Sequence, residues 1–355
     1  MFGKKILLFS VILLITIGVA SAGDNTTHTF SELQNIIDNA DENAVIELNS
    51  DYSYDEGGDS AIQIHKTLTI NGNNHVLDGK GQSQIMKTSN NVVLNDIVFT
   101  NGKSKYGGAL NAEDTTVNNC VFTDNVVEYN GQGHGGAIFA ENTKINDCTF
   151  KNNKADYGGA VHGRNVEITD STFTGNKGDT GGAVFIIKGS VSSSTFADNN
   201  AKGHGGAIYA DSSTIKDSTF TSNHAGFGGA ITAFYCKISN SKFDSNSAKE
   251  EGGAIYSFYN TLTNDTFTNN SATRGGALYS IDTTIEDCTF NNNTSSQAGD
   301  DIYPDSDDIY QPDDDNSTDA LMNSTIASKY GLETGNPLVL LLICLIAPIL
   351  RRREK

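Results

Sequence analysis

Residues 205–227 read GGAIYADSSTIKDSTFTSNHAGF, and this stretch holds one complete copy of a repeat that recurs through most of the chain. Its two signatures, Gly-Gly-Ala and Phe-x-x-Asn, each occur eight times, and every Phe lies 15 residues after the first Gly of its copy. Successive Gly-Gly pairs are 23 or 24 residues apart, except for one interval of 28. The first glycines are Gly107, Gly135, Gly158, Gly181, Gly205, Gly228, Gly252 and Gly275, and the phenylalanines are Phe122, Phe150, Phe173, Phe196, Phe220, Phe243, Phe267 and Phe290. Because the offset is fixed, we expect a regular structural unit, with a loop in the variable stretch from each Phe to the next Gly-Gly.

Two aliphatic positions accompany the signatures in every copy, three and ten residues after the first Gly. The first set is Leu110, Ile138, Val161, Val184, Ile208, Ile231, Ile255 and Leu278, and the second is Val117, Ile145, Ile168, Val191, Ile215, Ile238, Leu262 and Ile285. The dense Gly and Asn punctuation leaves no room for helices of ordinary length. The pattern therefore predicts an all-β fold, a parallel β-helix (β-solenoid) with three short strands per coil of ~23 residues and coils about 4.8 Å apart. The Asn of Phe-x-x-Asn is expected to form an amide ladder at a left-handed turn.

A solenoid needs closure at both ends. At the N-terminal end, residues 29–32 (Thr-Phe-Ser-Glu) fit a capping box, and residues 30–40 carry apolar side chains on one helical face. This predicts a short capping helix, so we assign residues 23–50 to the cap and residues 51–303 to the solenoid repeats. At the far end, residues 299–303 (Gly-Asp-Asp-Ile-Tyr) stand where a ninth Gly-Gly-Ala would fall, and their two aspartates predict a polar closing coil.

The two termini predict export and surface retention. Residues 1–22 combine a basic start, an apolar stretch and an Ala-Ser-Ala cleavage site, as in a secretory signal peptide; a retained membrane anchor is the alternative. Residues 304–336 form an acidic, extended linker. Residues 337–350 are apolar and short for a membrane span, and residues 351–355 are a basic cytoplasmic tail. The apolar segment is therefore predicted to be either a membrane anchor or a sorting segment that is removed.

The net charge of the chain argues against some classes of binding partner. The chain has 43 acidic and 24 basic side chains among 355 residues, which gives a formal net charge of −19. Such a chain repels phosphate backbones and anionic lipid surfaces, so nucleic-acid binding is not expected. Five cysteines are too few for a disulfide scaffold of this length.

The coupled Gly-Gly-Ala and Phe-x-x-Asn motifs resemble the repeat of the chlamydial polymorphic outer membrane proteins. The whole arrangement, with its predicted signal and C-terminal segment, resembles the adhesin-like surface proteins of methanogenic archaea. This resemblance implies a right-handed parallel β-helix, display at the cell surface and attachment to glycans or proteins of other cells. It supplies no catalytic residue and no cofactor, so we expect neither.

The sequence is compatible with two other functions. A polysaccharide lyase or glycosidase would need clustered carboxylates on one face. Asp147 and Asp170 would lie on adjacent coils, in a turn column that alternates Asp, Asn and Ser. This column is Asn119, Asp147, Asp170, Ser193, Asp217, Asn240, Asn264 and Asp287. Such alternation favours a bend with Asx-type hydrogen bonds over a catalytic site. The second alternative is a passive structural component of the cell envelope.

Side chains suited to bind metal or form a disulfide are sparse. His134 and His204 both precede a Gly-Gly pair, but three coils separate them, roughly 14 Å at β spacing, so they cannot share a metal ion. Cys120 and Cys148 occupy one column on successive coils, where a disulfide is geometrically possible. Ser fills that column in four other copies, which favours two small buried residues.

Two places could contact a ligand. Period-2 alternation would turn the position after the first aliphatic set outward, giving an exposed aromatic stripe. Its aromatic members include Phe139, Phe185, Tyr209, Tyr256 and Tyr279. The alternative is that these rings fill the core. The second place is the one long loop, between Val126 and Gly133, which contains Glu128 and Tyr129.

Overall fold

The computed structural model describes residues 28–128 and 131–303. They form a parallel β-solenoid of about 12 turns with ~23 residues per coil, as the repeat predicts. Three long sheets run along the solenoid, and every strand pairs in parallel with its counterpart in the neighbouring coil. Strands from equivalent places in successive coils are therefore stacked in register, so each sequence column becomes a column in space.

We name the sheets by what they carry. The Phe sheet contains the phenylalanines of Phe-x-x-Asn, the Gly-Ala sheet follows Gly-Gly-Ala, and the middle sheet lies between them in sequence. The Phe sheet comprises His28–Thr29, Tyr52–Ser53, Val76–Asp78, Val98–Thr100, Val121–Thr123, Thr149–Lys151, Thr172–Thr174, Thr195–Ala197, Thr219–Thr221, Lys242–Asp244, Thr266–Thr268 and Thr289–Asn291. The Gly-Ala sheet comprises Ile62–Ile64, Met86–Thr88, Leu110–Glu113, Ile138–Glu141, Val161–Arg164, Val184–Ile187, Ile208–Asp211, Ile231–Phe234, Ile255–Phe258, Leu278–Ile281 and Ile302–Tyr303. The middle sheet comprises Val45–Glu47, Thr69–Asn71, Val92–Asn95, Thr115–Asn118, Lys144–Asn146, Glu167–Thr169, Ser190–Ser192, Thr214–Lys216, Lys237–Ser239, Thr261–Thr263 and Thr284–Glu286.

A fourth strand per coil was not predicted. The bridging sheet lies between Phe-x-x-Asn and the next Gly-Gly, where the variable length predicts a loop. It comprises Lys177–Thr180, Asn200–His204, His224–Phe227, Ser247–Glu251, Ser271–Arg274 and Thr294–Ala298, and the pair Lys103–Ser104 with Val126–Val127 precedes it. Its strands have four residues in the 23-residue coils and five in the 24-residue coils. Register shifts between these strands accommodate the extra residue as a β-bulge, so a variable length is compatible with pairing.

The interior consists of columns, in each of which residues of the same kind stack from coil to coil. Rings of successive Phe-sheet phenylalanines are parallel from Phe99 to Phe290, with centroids 4.6–5.0 Å apart and interplanar angles of 3–8°. The aliphatic columns of the other two sheets close the core against them. Full burial of a side chain of this size contributes roughly 1.5–3 kcal/mol, so the three core positions stabilise each coil.

The two positions of Gly-Gly in the motif Gly-Gly-Ala require glycine for different structural reasons. Gly205 has φ +64°, a left-handed conformation that a β-carbon disfavours. Gly206 lies against the backbone of the next coil, and a β-carbon there would overlap the carbonyl oxygen of Gly229. The first glycine therefore turns the chain, and the second allows the coils to approach.

The asparagine ladder is present, with one correction to its backbone. Asn199 donates through Nδ2 to Phe173 O and to Asn223 Oδ1, both at 3.0 Å, and its Oδ1 accepts from Asn176. The prediction of a left-handed Asn was wrong, because the left-handed residue is the one before it, Asp198 with φ 55°. The turn at Asp198 directs the following amide into the interior, where its hydrogen bonds satisfy buried backbone groups.

The N-terminal helix spans Phe30–Asn39 and begins with the predicted capping box. Thr29 accepts from the Glu32 backbone N–H, and the Glu32 carboxylate accepts from the Thr29 backbone N–H. Phe30, Leu33 and Ile37 are at most 1% exposed and lie on the core. The helix therefore covers the apolar end of the first coils, as predicted.

At the C-terminal end the closing coil is polar, as predicted. Asp301 Oδ1 accepts from Asn293 Nδ2 at 2.9 Å and ends the asparagine ladder, while Asp300 Oδ1 accepts from Ser295 N at 2.8 Å. The apolar side chains Ile285 and Phe290 of the last full coil are only partly buried.

Several predicted segments lie outside the described residues: the signal peptide (1–22), the linker (304–336), the apolar segment (337–350) and the basic tail (351–355). Within residues 28–128 and 131–303, no helix is long and apolar enough to cross a membrane.

Candidate attachment surface

The predicted aromatic stripe forms a second ladder, outside the main core. The aliphatic residue of each Gly-Ala strand enters the core, and the next residue lies on the opposite face. There the His162 ring stacks on Phe185 at 4.6 Å, and Phe185 stacks on Tyr209 at 4.7 Å. Tyr256 and Tyr279 are in contact further along, with centroids 5.0 Å apart.

This ladder is not the open surface that the sequence predicts. Phe185, Tyr209 and Tyr256 are 9%, 7% and 8% exposed. Aromatic residues that precede a Gly-Gly pack against the ladder: the ring of Tyr157 meets Phe185 edge-on, and the ring centroid of Phe227 lies 5.3 Å from that of Tyr256. The chain turns at the left-handed first glycine, so the preceding side chain lies over the outer face of the Gly-Ala sheet. The expected exposure of these three rings is therefore wrong, because a second column covers them.

The other two aromatic residues of the stripe are more accessible. Phe139 and Tyr279 are both half-buried. The ring centroids of Phe139 and Tyr106 are 5.2 Å apart, and those of Tyr279 and Tyr303 are 5.9 Å apart. Ligand contact at the stripe stays a prediction for these two side chains.

Three histidines belong to the same covered layer, and they are held neutral. Nδ1 of His134 lies 3.2 Å from Nδ1 of His162, so one imidazole donates to the other. Burial, with a smaller effect of His134, lowers the pKa of His162 to about 3, and burial lowers the pKa of His204 to about 4. His204 is not the partner of His134; the partner is His162, which the next coil places beside it. Within the described part of the chain, no group of three or more His, Cys, Asp or Glu side chains could hold a metal ion.

The long loop contributes one described candidate. Glu128 Oε1 lies 3.1 Å from Lys154 Nζ, and both side chains are more than half exposed. Glu128 also borders a shallow surface depression beside Lys103 and Asp124. Tyr129, the other predicted contact in this loop, lies outside the described residues.

The carboxylates that raised the enzyme alternative occupy tight turns. All eight residues of the turn column, Asp147 and Asp170 among them, have positive φ between 49° and 56°. Asn, Asp and Ser tolerate this conformation through local hydrogen bonds. The geometry therefore agrees with the turn interpretation of this column.

The residues two positions before each Phe, which are Ser or Cys in seven of the eight copies, form one column that we call the Ser/Cys column. It consists of Cys120, Cys148, Ser171, Ser194, Ser218, Ser241, Asp265 and Cys288. Cys120 and Cys148 are free and buried. Burial raises the pKa of Cys120 well above its usual value, so this thiol stays protonated. The interpretation as two small buried residues is supported.

One exposed aromatic pair escaped the sequence analysis. Tyr235 and Tyr259 are 50% and 48% exposed, and their rings are parallel within 6° at 5.1 Å. They occupy the turn after the Gly-Ala strand, with φ of 53° and 56°. The available signal was the residue type, because the other repeats have Asp114, Asn142, Asn165, Lys188, Ser212 and Asp282 at this position.

Six segments of the chain match the model of the Chlamydia polymorphic membrane protein repeat. They are residues 119–141, 147–164, 193–211, 217–233, 240–257 and 266–281. Each segment contains Phe-x-x-Asn followed by Gly-Gly-Ala, so the match covers the motifs that form the Phe and Gly-Ala sheets. Together the segments cover less than a third of the chain. A comparison with curated proteins finds no match.

Proposed function

We propose that the protein is an adhesin-like surface protein, a β-solenoid displayed outside the cell for attachment to glycans or proteins of other cells. The observation that carries this proposal is the sixfold match to the polymorphic membrane protein repeat on a continuous parallel solenoid. The name of that family describes its members as membrane proteins. A stack of similar coils presents long, regular columns of side chains to a partner. The sequence resemblance to archaeal adhesin-like proteins points in the same direction.

We further propose that the protein is not an enzyme and that its C-terminal segment holds it at the cell envelope. The carboxylates of the turn column are used as left-handed turn residues, which supports a structural role for them. The basic residues after the apolar segment support retention at a membrane. Deletion of residues 336–355 is expected to release the protein into the medium, and cell-bound protein after the deletion would contradict this anchor.

The attachment function can be tested by displaying the full-length chain on a non-adhesive host cell. We expect more target cells to remain attached after washing than with a host that displays an unrelated β-solenoid at equal density. Treatment of the target cells with glycosidases or with proteases then separates glycan from protein receptors. Attachment no higher than the control would contradict the proposal and favour a passive envelope component. Release of oligosaccharides from polysaccharides by the purified full-length chain would instead support the lyase or glycosidase alternative.

A further inference from the structure

The exposed tyrosine pair is placed where the fold does not favour it. A bulky side chain in the left-handed region is disfavoured because its β-carbon crowds the following carbonyl oxygen. The other repeats avoid this with residues that are short or flexible, and the pair Tyr235 and Tyr259 breaks the rule on two successive coils. A local rule that is broken twice at one exposed place indicates selection for something other than folding.

The rings also contribute little to the interior. About half of each side chain is exposed, whereas Phe234, the residue before Tyr235, is 5% exposed and stacks on Phe258 at 5.2 Å. The apolar packing at this place is therefore made by Phe234 and Phe258, the residues that precede the two tyrosines. In the same column the neighbours are Ser212 and Asp282, whose side chains are shorter than that of tyrosine.

The chemistry around the pair favours a neutral sugar as its partner. Flat aromatic faces pack against the C–H face of a pyranose ring, and the ring hydroxyls then need polar groups at the edge. Asp211, Ser212 and Asp282 provide such groups on the flanking coils. Two carboxylates beside the pair and a net charge of −19 repel anionic sugars. A peptide anchor would instead need a closed apolar pocket.

We propose that Tyr235 and Tyr259 form a stacking platform that binds neutral pyranose glycans. This inference rests on the proposed attachment function and names the site and ligand class for it.

The test is affinity electrophoresis of the full-length chain in native gels that contain hydroxyethyl cellulose, glucomannan, galactan or dextran. We expect retardation in at least one gel. The double variant Tyr235→Ser/Tyr259→Ser introduces the residue type that Ser212 has at the same turn position. It should bind that polysaccharide at least about tenfold more weakly. The matched control is Lys188→Ser, which shortens an exposed side chain at the left-handed turn of the same column, two coils before Tyr235. Its retardation should equal that of the wild type.

A gain-of-function variant keeps the test valid if the double variant is unstable. Ser212→Tyr extends the pair by one coil and should increase retardation without altering the core. No retardation of the wild type in any gel would overturn the inference, as would equal retardation of the wild type and a folded double variant. If the double variant does not fold, unchanged retardation by Ser212→Tyr overturns it. Cell attachment that persists without glycan retardation refutes this site alone, whereas absent attachment refutes the proposed function.

Discussion

At the scale of single residues, Asp265 is the exception in the Ser/Cys column. Each of the seven other members donates its hydroxyl or thiol hydrogen to the carbonyl oxygen two residues earlier. Asp265 Oδ1 accepts from Ser241 N at 2.8 Å, but an ionised carboxylate cannot donate. Among the described residues its Oδ2 has no hydrogen-bond partner, and the side chain is 1% exposed. Burial raises the pKa of Asp265 to about 7, so its protonated form fits the column.

We therefore expect Asp265 to lower the free energy of unfolding as the pH rises from 4 to 7. The folded-state pKa is above the unfolded value of 3.8, so folding retains a proton that the unfolded chain releases. Stability is therefore lost as the pH rises through this window, by at most about 4 kcal/mol at 1.36 kcal/mol per pKa unit. Asp265→Ser restores the donor and should raise the melting temperature at pH 8 while leaving that at pH 4 nearly unchanged. Thermal unfolding followed by circular dichroism at both pH values measures this.

The wild type must be compared with the variant at each pH, because the buried histidines act in the opposite direction. The pKa of His162 and of His204 is lowered by burial, so their contribution to stability rises with pH up to about 6.5. Asp287→Asn, which removes a carboxylate from an exposed left-handed turn, serves as the control for the loss of one negative charge. A variant Asp265→Ser with the same pH profile as the wild type would contradict the assignment.

At the scale of structural elements, the asparagine ladder is the polar counterpart of the phenylalanine stack. The Asn side chain of each inner coil bonds to backbone and amide groups of its two neighbours. Most of these hydrogen bonds are buried, which makes each ladder position costly to empty.

Asn199→Ala is therefore expected to destabilise the solenoid by at least about 3 kcal/mol. The substitution removes the acceptor of the backbone N–H and of one Nδ2–H of Asn176, and the side-chain donor to the carbonyl of Phe173, at ~1–3 kcal/mol for each buried group. Asn223 Oδ1 keeps the backbone N–H of residue 199 as its donor. The control is Asn142→Gly, which removes an exposed Asn at φ 48° where glycine is tolerated. Urea denaturation should show a change within about 0.5 kcal/mol for the control. Equal midpoints for the two variants would disprove the energetic role of the ladder.

The sequence predicts these elements to different degrees. The Phe and aliphatic columns were predictable because their offset within the repeat is constant, and so was the capping box at Thr29. The bridging sheet was not, because strand pairing through a β-bulge tolerates the length variation that usually indicates a loop. Burial of Phe185 and Tyr209 was also missed, because period-2 alternation gives the face of a sheet but not what covers that face.

At the scale of the whole molecule, the two ends of the solenoid differ. The helix Phe30–Asn39 covers the first coils with side chains that are almost fully buried. The closing coil ends the asparagine ladder but leaves Ile285 and Phe290 partly exposed. The polar end was predictable from its two aspartates, whereas incomplete cover over the Phe and middle sheets depends on the three-dimensional path of residues 299–303.

In a linear array each coil is stabilised by its neighbours, so a coil with one neighbour opens more readily than an inner coil. We therefore expect backbone amides of residues 284–298 to exchange with solvent at least about tenfold faster than those of residues 190–204, which occupy the equivalent places in an inner coil. Hydrogen exchange followed by mass spectrometry measures both segments in one experiment. The variant Leu33→Asp, which removes a fully buried contact of the N-terminal helix, should raise exchange in residues 45–53 toward that of the C-terminal coil. Equal protection of the terminal and inner coils in the wild type would show that the C-terminal end is not the weak one, and unchanged exchange in Leu33→Asp would show that the helix does not protect the coils it covers.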